Sequence, residues 1–172
     1  MRSDPIRPHR QTRQRHNARP PVWTIVLASH SLLFPGLPLH SARLVLSPIR
    51  RDDAAALFTL QSNPDVMRWW NHPAWTRLAE AREQIDDDLA AHAIGTQLKL
   101  AVRESLEGPL LGICVVFAVD RDAARAEIGY LLAPDRQGQG YMHEALQQVL
   151  AYLFRPLHLH RVEAEIGRAS CR

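Results

Sequence analysis

The spacing of apolar positions changes along the chain from a helical pattern to a strand pattern. Between residues 78 and 89, apolar side chains recur every three or four residues, as expected of a helix buried on one face. From residue 97 onward they alternate or run continuously, which favours strands. The pattern predicts a short strand at 44–46, helices at about 54–62 and 76–92, strands at 98–102, 110–119 and 126–132, a helix at about 142–154 and a strand at 161–166.

Turn and capping residues mark the ends of these elements. Asp52 or Asp53 is expected to cap the first helix, and Thr76 the second. Short turns at 107–109 and 120–123 separate the three central strands, so we expect those strands to form an antiparallel meander.

Charge is unevenly distributed. Residues 1–20 hold six of the 21 basic side chains and one of the 18 acidic ones, so the rest of the chain is slightly acidic. The basic tail has no aromatic residue for base stacking and is rich in Pro and Gln, which favours disorder over nucleic-acid binding. Lys99 is the only lysine among twenty arginines, which we interpret as a coding preference.

The apolar stretch at 22–34 follows the basic tail and resembles a signal peptide. It is too short and too interrupted by polar residues and proline to span a bilayer. We interpret residues 1–38 as a disordered or apolar N-terminal extension, with export as the alternative.

No metal site is expected. The three consecutive aspartates at 86–88 lie in a predicted helix and point in different directions, so we interpret them as a solvated face. Cys114 and Cys171 are too few for a disulfide framework or a zinc site. His158 and His160 lack a third ligand and are interpreted as surface or packing residues.

The segment 131–142 lies between a predicted strand and a predicted helix and contains Gly138 and Gly140. Glycines let the backbone approach a ligand closely, and the first N–H groups of a helix lack intrahelical partners. Together with the helix dipole they make an anion site suited to a pyrophosphate. An ordinary strand-to-helix turn is the alternative. The segment has neither the Gly-Lys-Ser/Thr ending of a P-loop nor the third glycine of a dinucleotide fingerprint.

This segment resembles the acetyl-CoA loop of the GNAT superfamily of N-acetyltransferases, Gln/Arg-x-x-Gly-x-Gly/Ala. Gln137, Gly140 and Met142 occupy the three defined positions, and Met142 departs from the usual small residue. Further stretches are similar to the RimJ/RimL-type branch, which acetylates the N-termini of ribosomal proteins. These stretches are 41–46, 51–54, 63–68, 127–130, 138–145 and 160–164.

The resemblance covers residues 39–166 and implies an α/β (α+β) fold, in which a central mixed, mostly antiparallel sheet is flanked by helices. It implies acetyl-CoA as cosubstrate, without a metal. The backbone of the last strand residues would pair with the pantetheine arm, and the loop amides would hold the pyrophosphate. The cofactor-binding residues implied are Leu131, Leu132, Gln137, Gly138, Gln139, Gly140, Tyr141 and Met142.

The resemblance also implies a catalytic base. Glu127 matches the position at which many relatives keep the carboxylate that deprotonates the acceptor amine. Pairing with Arg125 on a strand edge is the alternative role. Trp69 and Trp70 match the loop that lines the acceptor pocket, and packing is the alternative for them.

Residues 167–172 match nothing in the family pattern, so the domain is expected to be incomplete, without its last helix and closing strands. Two functions remain open. The first is direct transfer of the acetyl group of acetyl-CoA to a primary amine, either a protein N-terminus or a small amine. The second is a truncated, inactive relative that at most binds CoA or associates, for example as a homodimer, through an open sheet edge. Neither nucleic acid nor membrane is expected as a partner, and a cytoplasmic location is expected because acetyl-CoA is a cytoplasmic cosubstrate.

Overall fold

Six strands form one sheet in the part of the chain that the computed structural model describes, residues 33–68, 70 and 72–164. Their spatial order is their order along the chain. All neighbours pair antiparallel except the last two, which pair parallel. The strands are β1 (Leu39–His40), β2 (Val45–Pro48), β3 (Leu98–Arg103), β4 (Gly112–Asp120), β5 (Arg125–Leu132) and β6 (Arg161–Glu163).

Helices cover both faces of this sheet. They are α1 (Ala54–Gln61), α2 (Pro64–Met67), α3 (Leu78–Ile94) and α4 (Tyr141–Phe154). The mixed, mostly antiparallel sheet flanked by helices confirms the predicted fold class. No helix among the described residues is long and apolar enough to cross a membrane.

Successive side chains of a strand point to opposite faces of the sheet, so the strands contribute to two separate apolar cores. In β3, Leu100 and Val102 pack with Val149 of α4 on one face of the sheet. Ala101, between them, packs on the other face with Leu57 of α1 and Ile85 of α3. The sheet is therefore covered by α4 on one face and by the α1–α3 layer on the other.

The start of α3 corrects one capping prediction. Thr76 is not the cap: the helix begins at Leu78, and Glu80 reaches back so that its Oε2 accepts from the backbone N–H groups of Thr76 at 2.9 Å and Arg77 at 2.7 Å. A glutamate in the first turn is suited to this role because it can satisfy donors that have no intrahelical partner. These two backbone hydrogen bonds lower the pKa of Glu80.

Asp88 contradicts the prediction that the triple aspartate is a solvated face. Its carboxylate is buried, with Oδ2 2.5 Å from the Nζ of buried Lys99, and Oδ1 accepts from Gln97 Nε2 at 2.6 Å and Gln84 Nε2 at 3.1 Å. The reason is helical spacing. Asp88 lies three residues after Ile85 and continues the buried stripe of α3.

Part of the predicted N-terminal extension packs on the domain. Phe34 is buried in the core on the α4 face, and its ring centroid lies 5.3 Å from that of His92 in α3. The guanidinium of Arg121 lies 5.5 Å from the centroid of the same ring. The packed part of the described chain therefore includes residues before 39.

Strand β5 has two different edges. Along one edge it pairs with β4, whose register shifts between Phe117 and Asp120 where Ala118 has a φ of 48°. Along the other it pairs with β6 from Arg125 to Glu127, and within the described residues that pairing ends there. The edge of β5 from Ile128 to Leu132 leads directly into the glycine-containing loop.

Candidate active site

The loop after β5 has the backbone geometry that its glycines predict. Gly138 and Gly140 have φ values of 71° and 79°, in the left-handed region where a Cβ is disfavoured. A Cβ on Gly138 would meet no atom within 4 Å, so its side of the loop is open. The first backbone hydrogen bond of α4 runs from the N–H of Glu144 to the oxygen of Gly140 at 3.0 Å. The N–H groups of residues 141–143 therefore lack intrahelical partners and are available to an anion.

The two glutamines of this loop brace it from within. Gln137 Nε2 donates to the carbonyl oxygen of Leu132 at 3.1 Å, and Gln139 Nε2 donates to that of Asp135 at 2.9 Å. Their side chains are thus used to shape the loop. Each amide nitrogen thereby uses one of its two N–H donors within the loop.

Tyr141 and Met142 anchor the first turn of α4. The hydroxyl of Tyr141 donates to Glu104 Oε1 at 2.7 Å, and this hydrogen bond is the main cause that raises the pKa of Tyr141. The sulfur of Met142 lies 3.7 Å from Cys114 Sγ, in the core of the α4 face. Burial raises the pKa of the Cys114 thiol to about 12. Both side chains point inward and leave the backbone of the turn free.

Leu131 and Leu132 differ in the direction of their backbone groups. The N–H of Ala133 donates to the carbonyl oxygen of Leu111, just before β4, at 2.9 Å. Leu131 lies two residues before Ala133 and is the register partner of Ile113 in β4. Because hydrogen-bonded pairs alternate in an antiparallel ladder, Leu131 directs its backbone toward β4. Leu132 directs its N–H and C=O toward the other edge, where its oxygen meets Gln137. The backbone groups that face the edge of β5 away from β4 are therefore those of Leu132.

Glu127 and Gly129 lie on the face of β5 that carries the α1–α3 layer, since Leu131, two residues further on, packs in that core. Trp70 lies against Gly129: its Cη2 atom is 3.0 Å from the position that a Cβ would take. Phe117 is the register partner of Glu127, and its Cε1 atom lies 3.6 Å from the same Cβ position.

Two further rings, those of His72 and Trp75, lie beside Trp70, and we call the group of Trp70, His72, Trp75 and Phe117 the aromatic wall. The ring of His72 stacks on Trp75 with centroids 5.8 Å apart and meets Trp70 edge-on at 6.5 Å. His72, Trp75 and Phe117, which lie in this aromatic group, were not predicted from the sequence. The density of aromatic and histidine side chains between 69 and 75 was the signal for the first two. Trp69 lies outside the described residues.

Glu127 is half-buried and, within the part of the chain that the structure describes, has no hydrogen-bond or ion-pair partner. The predicted alternative, a pair with Arg125, is not formed, because Arg125 Nε lies 3.7 Å from Asp120 Oδ2. Glu163 is the register partner of Glu127 on β6 and forms an ion pair with Arg161. Among the described residues, Glu127 is therefore a carboxylate without a partner, and its neighbour across the sheet, Phe117, is one of the aromatic side chains around Gly129.

Known proteins match most of this chain. The acetyltransferase (GNAT) domain family matches residues 43–169. The uncharacterized N-acetyltransferase p20 of Bacillus licheniformis is 32% identical over 130 residues, which cover 74% of this chain and 72% of that protein.

Two solved structures share the fold. Mycobacterium smegmatis RimJ in complex with CoA-disulfide superimposes with a TM-score of 0.70 at 23% identity, over 81% of this chain and 71% of that one. The spermidine N-acetyltransferase of Vibrio cholerae in complex with CoA and spermine gives a TM-score of 0.65 at 21% identity, over 73% and 72%. The family match over residues 43–169 shows that this chain belongs to the GNAT family of acetyltransferases.

Proposed function

We propose that this chain transfers the acetyl group of acetyl-CoA directly to a primary amine, with Glu127 as the base. One observation carries the proposal: a half-buried carboxylate without a partner among the described residues lies on β5, and the same strand runs into the glycine loop. The proton acceptor, a strand edge unpaired among the described residues and the anion site therefore follow one another along β5 and the loop after it. Such an order suits a long cosubstrate with phosphates at one end and the reacting group at the other.

The loop residues fit the phosphates of acetyl-CoA. The backbone amides from Gly138 to Met142 surround an open side of the loop, and the N-terminus of α4 adds its dipole. The N–H of Leu132 faces the edge of β5 that pairs with no other strand among the described residues, where it is suited to polarise the thioester carbonyl. When bound, acetyl-CoA supplies the acetyl group as a reactive thioester.

Glu127 makes the acceptor nucleophilic. A primary amine is protonated at neutral pH and has no lone pair to attack with, so the carboxylate must first accept a proton. The amine nitrogen then forms a bond to the acetyl carbon, and the carbon–sulfur bond breaks with its electron pair on the CoA sulfur. The nitrogen gives up its second proton, and the thiolate takes up a proton, with water as the carrier, so that the products are the N-acetyl amide and free CoA thiol.

The aromatic wall of Trp70, His72, Trp75 and Phe117 is proposed to hold the acceptor. Ring faces attract an ammonium group through cation–π interaction and bury the apolar part of the amine. We place the chain in the RimJ/RimL-type branch, which is supported by the likeness to RimJ and by the stretches shared with that branch. The likeness to the spermidine N-acetyltransferase of Vibrio cholerae makes small amines the alternative acceptors.

The test is acetyl-CoA turnover by the full chain, measured as release of free thiol, against peptides with different N-termini and amines that include spermidine. CoA binding is measured separately by calorimetry. Turnover with at least one acceptor supports the proposal. Binding of CoA without turnover on any amine favours the inactive CoA-binding relative, and no binding of CoA refutes the cosubstrate assignment.

A further inference from the structure

Glu144 ties the start of α4 to the turn between β1 and β2, about a hundred residues earlier in the chain. Its Oε1 atom accepts from Ser41 Oγ at 2.7 Å and from the backbone N–H of Arg43 at 2.9 Å. Its Oε2 atom accepts from Arg43 Nε at 2.7 Å. The Glu144 side chain is 17% exposed, so the carboxylate is largely enclosed by these donors. The contact fixes both the backbone and the guanidinium of Arg43.

The guanidinium of Arg43, held in this way, lies against three consecutive residues of the glycine loop. Its Nη1 atom donates to the carbonyl oxygen of Gln139 at 3.3 Å. Its Nη2 atom is 3.6 Å from the position that a Cβ would take on Gly140. Its central carbon lies 4.6 Å from the centroid of the Tyr141 ring.

The bond to Gln139 determines the direction of the next amide. In a planar trans peptide the C=O of one residue and the N–H of the following residue point in opposite directions. Since the Gln139 oxygen points to Arg43, the N–H of Gly140 points away from it. A flip of this peptide would turn a carbonyl oxygen, which repels anions, to the side that the amide now occupies.

We propose that Arg43 is a positioning residue of the acetyl-CoA loop: fixed by Glu144, it binds the Gln139 carbonyl and so keeps the Gly140 N–H directed at the pyrophosphate. This inference rests on the proposed function and extends it to residues outside the loop. Arginine suits the role because its planar fork serves the carboxylate and the carbonyl at the same time, whereas the single ammonium of a lysine does not.

The ionisation of Glu144 supports this arrangement. The hydrogen bond from Ser41 and then those from Arg43 lower the pKa of Glu144 to about 2. The acceptor for the guanidinium therefore stays charged at every pH at which an acetyltransferase is assayed.

The experiment compares Arg43→Gln and Arg43→Lys with the wild-type chain in two measurements. The first is the dissociation constant for CoA by calorimetry. The second is kcat/KM with acetyl-CoA and with acetyl-pantetheine, which keeps the thioester arm and lacks every phosphate. Arg51→Gln is the matched control. Arg51 also pairs through Nε with a carboxylate, Asp86 Oδ1 at 2.8 Å, but that carboxylate belongs to α3 and not to the start of α4.

We expect Arg43→Gln to weaken CoA binding about tenfold, equivalent to about 1.4 kcal/mol, and to leave kcat/KM with acetyl-pantetheine at the wild-type value. Arg43→Lys should also bind CoA more weakly than the wild type, because it keeps the charge but loses the fork. Arg51→Gln should match the wild type in both measurements.

Several outcomes overturn the inference. Wild-type affinity for CoA in Arg43→Gln shows that Arg43 has no role in the loop, and wild-type affinity in Arg43→Lys shows that charge alone suffices. An equal loss with acetyl-CoA and acetyl-pantetheine shows a general structural role. If Arg43→Gln fails to fold, Arg43→Lys decides by the same comparison. Failure of the wild type itself to bind CoA refutes the proposed function. This result differs from every outcome above, in which the wild type binds CoA and only the role of Arg43 is refuted.

Discussion

The indole of Trp70 occupies the space that a side chain at position 129 would need: its Cη2 and Cζ3 atoms lie 3.0 and 3.4 Å from the Cβ position of Gly129. The first of these distances is shorter than normal carbon–carbon contacts. Glycine at 129 therefore allows the loop before α3 to close on β5, two residues from Glu127. The shape of the proposed acceptor site depends on this contact.

Gly129→Ala is expected to displace the Trp70 ring and to raise the KM for the acceptor while the affinity for CoA stays unchanged. The overpacking costs about 1–3 kcal/mol, partly offset by the lower chain entropy of alanine in a strand. Acceptor KM and urea unfolding measure the two effects.

Trp70→Phe, alone and combined with Gly129→Ala, is the control, because phenylalanine lacks the second indole ring that carries Cη2 and Cζ3. The double variant should be more stable than the sum of the two single effects predicts. Strict additivity would show that the contact with Trp70 is not the cause.

Glu127→Gln is expected to lower kcat/KM for acetyl transfer about 10²- to 10⁴-fold and to leave the dissociation constant for CoA unchanged. Glutamine has nearly the same shape but cannot accept the proton of the ammonium. Rates at saturating acetyl-CoA, together with calorimetry, measure this. Glu83→Gln, on the exposed side of α3, serves as the control. Unchanged turnover in Glu127→Gln would assign the base to another group.

Gly140→Ala and Gly95→Ala separate the anion site from general stability. Both glycines have a φ of 79°, one before α4 and one at the end of α3, so alanine costs about 1–2 kcal/mol of folding free energy at either position. Only Gly140→Ala is expected to weaken CoA binding as well, because its backbone belongs to the loop. Thermal melts and CoA titrations of both variants measure this, and equal CoA affinities would contradict the loop assignment.

The stabilisation that the Glu144 contact gives to the fold should decrease at acidic pH and stay constant toward basic pH. The pKa of Glu144 in the folded chain is about 2, below its ordinary value of 4.5. A carboxylate with a lowered pKa stabilises the fold fully above its unfolded pKa, and this contribution is lost as the pH falls through the folded value. The difference in Tm between the wild type and Glu144→Gln should therefore be constant from about pH 8 to pH 5 and shrink toward about pH 2.

Melts of both chains across this pH range measure that difference. Glu107→Gln is the comparison, since Glu107 forms an exposed pair with Arg50 at 3.2 Å. A Tm difference for Glu144→Gln that shrinks already between about pH 8 and pH 6 would mean that another group titrates.

The elements were largely predictable from local patterns. The strands β3, β4 and β5 and the helix α4 agree with the apolar spacing to within two residues. These segments pack over most of their length, so burial imposes a period on the sequence that can be read without the structure. The glycine loop was also predictable, because a positive φ selects glycine directly.

Contacts between side chains of different elements were not predictable in the same way. Asp88 follows two exposed aspartates and differs from them only by its position on the buried stripe of α3, where it meets Lys99. Lys99, which we interpreted from composition as the result of a coding preference, thus forms a buried ion pair with Asp88. Removal of one partner of such a pair leaves an uncompensated buried charge.

The sequence by itself determined the period of each element, the glycines of the loop and, through its motifs, the acetyltransferase family. Only the tertiary structure decided which residues meet: Trp70 with Gly129, Asp88 with Lys99, and Glu144 with Arg43. The physical reason is that periodicity and φ preferences are properties of neighbouring residues. A contact between two separate elements depends instead on how the sheet and its helices pack, and the identity of one residue does not determine which residue it contacts.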